Sequence, residues 1–452
     1  MNALPGLSPQ ASLLLYAAAA VALLIFLVAR WKVNAFIGLV LASLCVGLCS
    51  GVRLLDIAKA FQEGVGGTLG FIAVVVGLGT MLGKLLAESG GAEVIAQTFI
   101  AAFGEKRLHW TLMFVAFIVG LPVFFGVGVV LLIPIVFTLA RETKLPLLYL
   151  GIPVIAGLST SHGLVPPHPG PMVAIEKVGA DVGKTILWAI AIGLPCAALA
   201  GPIFAKFIAP RISVPLGGIG EKLSQPNPAR TRRPGFGITL FTITLPVLLM
   251  LGATIADVAL PKGDALRECA DFIGSPLVAM LLAVLFALWS FGANCGFDRN
   301  QLLKFTDDCV GPCATIFLVV GAGGGFGKVL DVSGVDDAIS DLAKGMQLSP
   351  LLLGWLVAAA IRIAVGSATV AITLASAIMA PIALTSPVNK ELLVLAMGAG
   401  SVILSHLNDG GFWFVKEYFN LTVEQTLKTW TVLETIVSVV GLALVLLASR
   451  FV

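Results

Sequence analysis

The chain has 452 residues, 58% of them hydrophobic and 12% charged, with a formal net charge of +3. A soluble domain carries about 25% charged residues, so half of a normal aqueous surface is missing and lipid must cover the rest. With a mean hydropathy of +1.02, that excludes a soluble globular domain and predicts an all-α polytopic membrane protein.

In chain order, Ser12–Val28, Phe36–Ser50, Leu187–Ile208, Phe236–Ile255, Pro276–Phe291 and Thr431–Leu447 are apolar runs of about the length that crosses the hydrocarbon core. The first has no basic segment before it, and Arg30 and Lys32 follow it. It therefore reads as an uncleaved span rather than a signal peptide. Residues 206–233 hold Lys206, Arg211, Lys222, Arg230, Arg232 and Arg233 against one acid, Glu221. The positive-inside rule places this loop in the cytoplasm, as it does Arg30 and Lys32, which leaves the N-terminus outside. Aromatic interleaving is lacking, Phe207 being the one ring in the stretch, so the loop reads as a topological anchor with no nucleic-acid partner. Cys45 and Cys49, like Cys309 and Cys313, are spaced i,i+4. With Cys196, Cys269 and Cys295 they read as small buried thiols rather than metal ligands.

The chain repeats itself. Phe61 recurs as Phe305, 244 positions later. At that offset Gly67, Ile72, Val75, Val76, Gly77, Gly79, Gly83, Lys84, Leu86, Ser89, Gly90 and Ile95 recur too, and Ser161-His162 falls on Ser405-His406. Chance would supply about three matches in such a window, so this is a duplicated transporter core. Counting spans from the two cytoplasmic loops puts residue 61 outside and residue 305 inside, so the repeats are inverted. The organisation predicted is 1–60 as scaffold spans, 61–205 as repeat one, 206–235 as a basic linker, 236–304 as further scaffold spans and 305–452 as repeat two. Inverted repeats of this type bind substrate where their broken elements meet near the bilayer midplane.

The breaks are legible. Ser161-His-Gly-Leu-Val-Pro-Pro-His-Pro-Gly-Pro171 cannot continue a helix, and broken backbone at membrane depth survives only where protein buries it or a cavity meets it. His162 and His168 sit in this stretch. Its counterpart is Ser405-His-Leu-Asn-Asp-Gly-Gly411, where His406, Asn408 and Asp409 are polar. Asp409 either has a membrane partner or task, or caps the helix that follows, and both can hold. Leu121–Val130 and Arg362–Ala371 read as short helical pieces ending near Pro134 and Pro381, re-entrant hairpins whose tips reach the site. Ser367 and Thr369 offer hydroxyls there, and half-helix starts favour an anion. The alternative is that Gly-Ser-Ala-Thr is only a small-residue packing face. Arg362 either clamps a carboxylate or anchors its helix. Lys84 and Lys328 read as snorkelling residues, His109 as an interfacial loop residue, and Glu88–Arg107 as a connector.

The strings Leu131-Leu-Ile-Pro-Ile-Val-Phe-Thr138, Leu158-Ser-Thr-Ser-His-Gly-Leu-Val-Pro-Pro-His-Pro-Gly-Pro171, Gly366-Ser-Ala-Thr-Val-Ala371 and Leu404-Ser-His-Leu-Asn-Asp-Gly-Gly-Phe-Trp413, with Lys416–Asn420 and Thr429-Trp430, resemble the gluconate permease (GntP) family of proton symporters in the ion-transporter superfamily. The resemblance covers nearly the whole chain. It implies import of gluconate or a similar sugar acid with a proton, through a scaffold and a moving transport domain of the elevator type. It also implies a homodimer in the inner (cytoplasmic) membrane and needs no cofactor. The family pattern has a glutamate within Phe124-Phe-Gly-Val-Gly128, where this chain has Gly126. Either His162, His168 or Asp409 then carries the proton, or coupling is lost or altered. On this reading the substrate carboxylate meets half-helix N-termini and Arg362, and its hydroxyls meet Ser161, Ser367, Thr369 and Asn408, with His162 and His406 beside them. Other small carboxylates, D-serine included, remain alternatives. A metal-dependent membrane enzyme is the remote alternative, since HExxH is absent, and the repeat argues against a passive channel.

Overall fold

A computed structural model describes residues 4–104, 107–214, 232–308, 310–345, 348–407 and 409–452. Among them every regular element is helical, and ten helices are long and apolar enough to cross a membrane. The first half comprises α1 (Pro9–Ile25), α2 (Ala35–Cys49), α3 (Leu54–Ser89), α4 (Gly91–Phe103), α5 (Leu108–Gly120), α6 (Phe125–Thr143), α7 (Leu147–Leu164), α8 (Pro169–Val178) and α9 (Val182–Ala198). The second comprises α10 (Phe236–Ala259), α11 (Ala265–Gly274), α12 (Pro276–Ala287), α13 (Arg299–Asp308), α14 (Val310–Val332), α15 (Val335–Gly345), α16 (Pro350–Val365), α17 (Ala368–Thr385), α18 (Lys390–Val402), α19 (Gly410–Tyr418) and α20 (Val432–Ala448). A π-helical turn, Leu427–Thr431, leads into α20.

Local chemistry explains the boundaries. Ser8, Asn34, Asp181 and Asn389 cap α1, α2, α9 and α18 by accepting a backbone N–H of the first turn, which satisfies a donor that the helix itself cannot. Leu15, Leu248, Leu285 and Val439 stay exposed on spanning helices. In a bilayer they face acyl chains.

The helix boundaries follow the repeat in the sequence. At the offset separating Phe61 from Phe305, 244 positions, α3 falls on α13 and α14, α4 on α15, α5 on α16, α6 on α17, α7 on α18 and α8 on α19. The internal pairing repeats as well, with α5 against α7 and α16 against α18. Between the copies, α3 and α14 lie side by side, and α8 packs on α17 and α18. Glycines permit the first contact. A Cβ on Gly64 would stand 2.4 Å from the Gly324 carbonyl oxygen, and one on Gly324 would stand 2.1 Å from Thr68 Oγ1. Without a hydrophobic effect between helices in lipid, such close backbone approach supplies the packing energy.

Several expectations need correction. Much of Glu88–Arg107 is not a connector but the helix α4, which buries Ala92, Ile95 and Ala96. His109 is no loop residue; it lies in the first turn of α5, buried, with Nδ1 3.0 Å from the Tyr149 hydroxyl. The helix entered at residue 125 does not end at Pro134, and the one entered at residue 368 ends one turn past Pro381. They run on to Thr143 and Thr385, because neighbouring helices tolerate an internal proline at membrane depth. Lys84 and Lys328 do more than snorkel: each pairs with an acid one turn on, Glu88 at 2.7 Å and Asp331 at 2.6 Å. Cys196 and Cys295 are buried thiols, but Cys49 and Cys269 are exposed. Cys309, the Cys313 side chain and residues 215–231 of the basic linker lie outside the described residues.

The helix contact yields a test. Gly324→Ala introduces a clash that costs about 1–3 kcal/mol, so it should lower the thermal unfolding midpoint of the purified protein. Gly66→Ala, elsewhere on α3 with nothing within 4 Å of its Cβ, should not. Equal midpoints for the two variants would contradict the packing account.

Candidate functional site

The first break occupies residues 165–168 between α7 and α8. His162 is therefore on the last turn of α7, while His168 is the residue preceding α8. Both rings are held. His168 Nε2 lies 2.6 Å from the Gly120 carbonyl oxygen, and the two Nδ1 atoms are 3.3 Å apart. A carbonyl only accepts, so His168 Nε2 donates. With neutral rings, His168 Nδ1 must then accept from His162 Nδ1–H, which leaves His162 Nε2 an acceptor. The Phe124 ring stands edge-on to both imidazoles.

His162 lines a cavity of about 550 Å³ together with Phe124, Phe125, Gly126, Val127, Val130, Ile316, Thr369, Phe414 and Tyr418. Both repeats contribute to its wall. Phe125 and Gly126 open α6, and Thr369 lies in the first turn of α17, the equivalent helix of the second copy. Ser367 caps α17 by accepting from the Val370 amide, and Gly366 before it holds φ +81°, a conformation that glycine adopts without strain. Two helix N-termini thus open on one largely apolar chamber, where their unpaired amides favour an anion. The Gly126 position has room: a Cβ there would stand 3.6 Å from Phe414 Cζ, an ordinary contact.

Behind this wall the second repeat carries a polar knot. Arg362, at the end of α16 and only 3% exposed, donates through Nη2 to Asp409 Oδ2 at 2.6 Å and through Nη1 to the Gly366 carbonyl. Asp409 also accepts from the Gly411 amide at 3.0 Å, capping α19, and from the Ser405 hydroxyl. Trp430 Nε1 donates to Ser405 Oγ at 2.6 Å, and the Trp430 ring lies 5.0 Å from that of Phe125. One ion pair therefore joins both breaks of repeat two and reaches the cavity wall through Gly366. Both roles foreseen for Asp409, partner and cap, are filled together.

Of the residues singled out in the sequence, His162, Gly126 and Thr369 come together on the cavity, with Ser367 adjoining and His168 bonded behind. Ser161 is not on this wall. It is buried, and its hydroxyl donates to the Phe117 and Gly157 carbonyls. Arg362 is neither a free clamp nor an interfacial anchor, because Asp409 occupies it. His406 Nε2 lies 3.1 Å from the Ile363 carbonyl. Asn408 lies outside the described residues. The cavity residues Phe414 and Tyr418 had no polar or break signal to mark them. Glu434 did: it is a lone acid inside the apolar run Thr431–Leu447, and the structure buries it at 2% exposure. Among the described residues no group of three or more His, Cys, Asp or Glu side chains is placed to hold a metal ion.

Known proteins share both sequence and fold. The chain is 52% identical to a gluconate permease of Pseudomonas aeruginosa, over 98% of this chain and 99% of the relative. It is 45% identical to the high-affinity gluconate transporter of Escherichia coli, over 95% and 97%, and 38% identical to the D-serine transporter of the same organism, over 94% and 95%. Among solved structures, the YdaH transporter of Alcanivorax borkumensis superposes with a TM-score of 0.68 at 15% identity, over 92% of this chain and 98% of that one. That likeness concerns the fold. A family model for the GntP permeases matches residues 12–451, and so this multi-pass membrane chain belongs to the GntP permease family.

Proposed function

We propose that the chain is a secondary active transporter that imports gluconate or a closely related small sugar acid. The observation that carries the reading is the cavity walled by both repeats, with two helix N-termini and the free acceptor of His162, in a chain 52% identical to a gluconate permease. Each half of a sugar acid finds a match there. The carboxylate meets the first-turn amides of α6 and α17. A hydroxyl donates to His162 Nε2, and others exchange hydrogen bonds with Thr369, Ser367 and Tyr418, while Phe124, Phe125 and Phe414 cover the C–H faces. The elevator-type motion of a transport domain against a scaffold, the homodimer and proton coupling belong to the same reading. A second reading, uptake of another small carboxylate such as L-idonate or D-serine, is favoured by relatives with those names at 43% and 38% identity.

Uptake of labelled gluconate into proteoliposomes, competed with L-idonate and D-serine, tests the substrate. Gluconate should be the strongest competitor; D-serine as the strongest would establish the second reading. His162→Ala and Thr369→Ala should each weaken gluconate binding about tenfold or more, since one lost hydrogen bond of ~1.4 kcal/mol has that effect. Unchanged uptake at normal expression would remove either residue from the site.

Arg362→Ala should be more damaging, through assembly rather than binding. Leaving the partly buried Asp409 carboxylate, 15% exposed, without its cation costs up to about 3–5 kcal/mol, so the variant should lose folded protein by size-exclusion chromatography. Arg362→Ala that folds normally but binds gluconate weakly would instead make Arg362 a substrate ligand. Gly126→Glu places a carboxyl into the cavity beside Phe414 and should change the number of protons moved per gluconate. An unaltered ratio would mean that the position plays no part in coupling.

A further inference from the structure

Glu434 is the one buried acid in this region that the binding site leaves unused. It projects from α20 toward the Ser159 hydroxyl, one turn before His162 on α7. It also lies within electrostatic reach of both Arg362 and Asp409. Its Oε1 is buried without a hydrogen-bond partner, and so is Arg362 Nε. An unpaired carboxylate enclosed at membrane depth is too costly to persist. The carboxyl must either bind a proton or recruit a cation.

The charges count the same way. Arg362 is one cation facing two carboxyl groups, Asp409 and Glu434. With both ionised the knot holds a net negative charge; with one proton bound it is neutral. We propose that Glu434 is the proton carrier of this transporter, a role that rests on the reading of the chain as a proton-coupled importer. Protonated, Glu434 stays with Ser159 and leaves Arg362 committed to Asp409 and the Gly366 carbonyl. On losing the proton its carboxylate competes for Arg362, whose free Nε–H is the donor still available. Arg362 ties the end of α16 to the start of α19 and to Gly366, just before the cap of α17, so the shift reaches Thr369 at the cavity. The step is a protonation alone: a carboxylate takes H⁺ from the outer water, and the carboxylic acid returns it to the cytoplasmic water. It also supplies the titratable group that Gly126 lacks.

The test is Glu434→Gln in proteoliposomes, read in two ways. Gluconate counterflow, which needs no net proton movement, should stay within about twofold of the parent protein. Accumulation driven by an imposed inward proton gradient should fall to the level without a gradient, with a flat pH profile. Gradient-driven accumulation with the parent's pH dependence would overturn the proposal. Absence of gluconate counterflow in the parent protein would instead overturn the substrate reading. Should the glutamine variant fail to fold, Ser159→Ala serves: it removes the hydroxyl beside the carboxyl and should displace the pH profile of gradient-driven uptake while counterflow continues. An undisplaced profile would also count against Glu434.

Discussion

The structure depends on one constraint. A chain that interrupts its helices inside a bilayer must find partners for every freed backbone group within the protein. Here each repeat interrupts itself twice, and the interruptions are held by side chains drawn from elsewhere. His168 bonds to the carbonyl of Gly120, joining the break before α8 to the end of α5. Arg362 bonds to the carbonyl of Gly366 and the carboxylate of Asp409, joining the break before α17 to the break before α19. An imidazole does in the first copy what a guanidinium does in the second. The cavity lies where these two ties bring the half-helices together.

Duplication explains why the cavity belongs to both copies. α8 of the first repeat packs on α17 and α18 of the second, and α3 lies along α14 through glycine faces. Neither copy closes the chamber alone. The helix starts at Phe125 and Ala368 are the same element in the two repeats, so the first turns of both line a shared space. That arrangement suits an anion with a polar, hydroxylated body better than a fully apolar or cationic solute.

Much of this was legible in the sequence, for physical reasons. Proline cannot donate a backbone hydrogen bond, so Pro166, Pro167, Pro169 and Pro171 located the first break to within a few residues. The 244-residue offset located its partner. Spans were visible because lipid demands unbroken apolar runs, and α10 and α20 lie where Phe236–Ile255 and Thr431–Leu447 placed them. What failed shares a cause. Pro134 and Pro381 sit inside helices because tertiary neighbours can absorb a proline that an isolated helix could not. α4 was hidden because it is only 13 residues long, too short to read as a span, and is flanked by charges. The Arg362–Asp409 pair spans 47 positions, and no local pattern announces a contact at that distance. Thr369 and His162 carried chemical signals and line the cavity, whereas Phe414 and Tyr418 shape it only through their position.

The central claim is that substrate sits between the half-helix starts of the two repeats. Electron cryomicroscopy of the purified protein with gluconate tests it most directly. The account predicts density against the first turns of α6 and α17, with the carboxylate on their amides and a hydroxyl at His162 Nε2. Gluconate bound away from Gly126, His162 and Thr369, or paired with Arg362 after displacing Asp409, would contradict it.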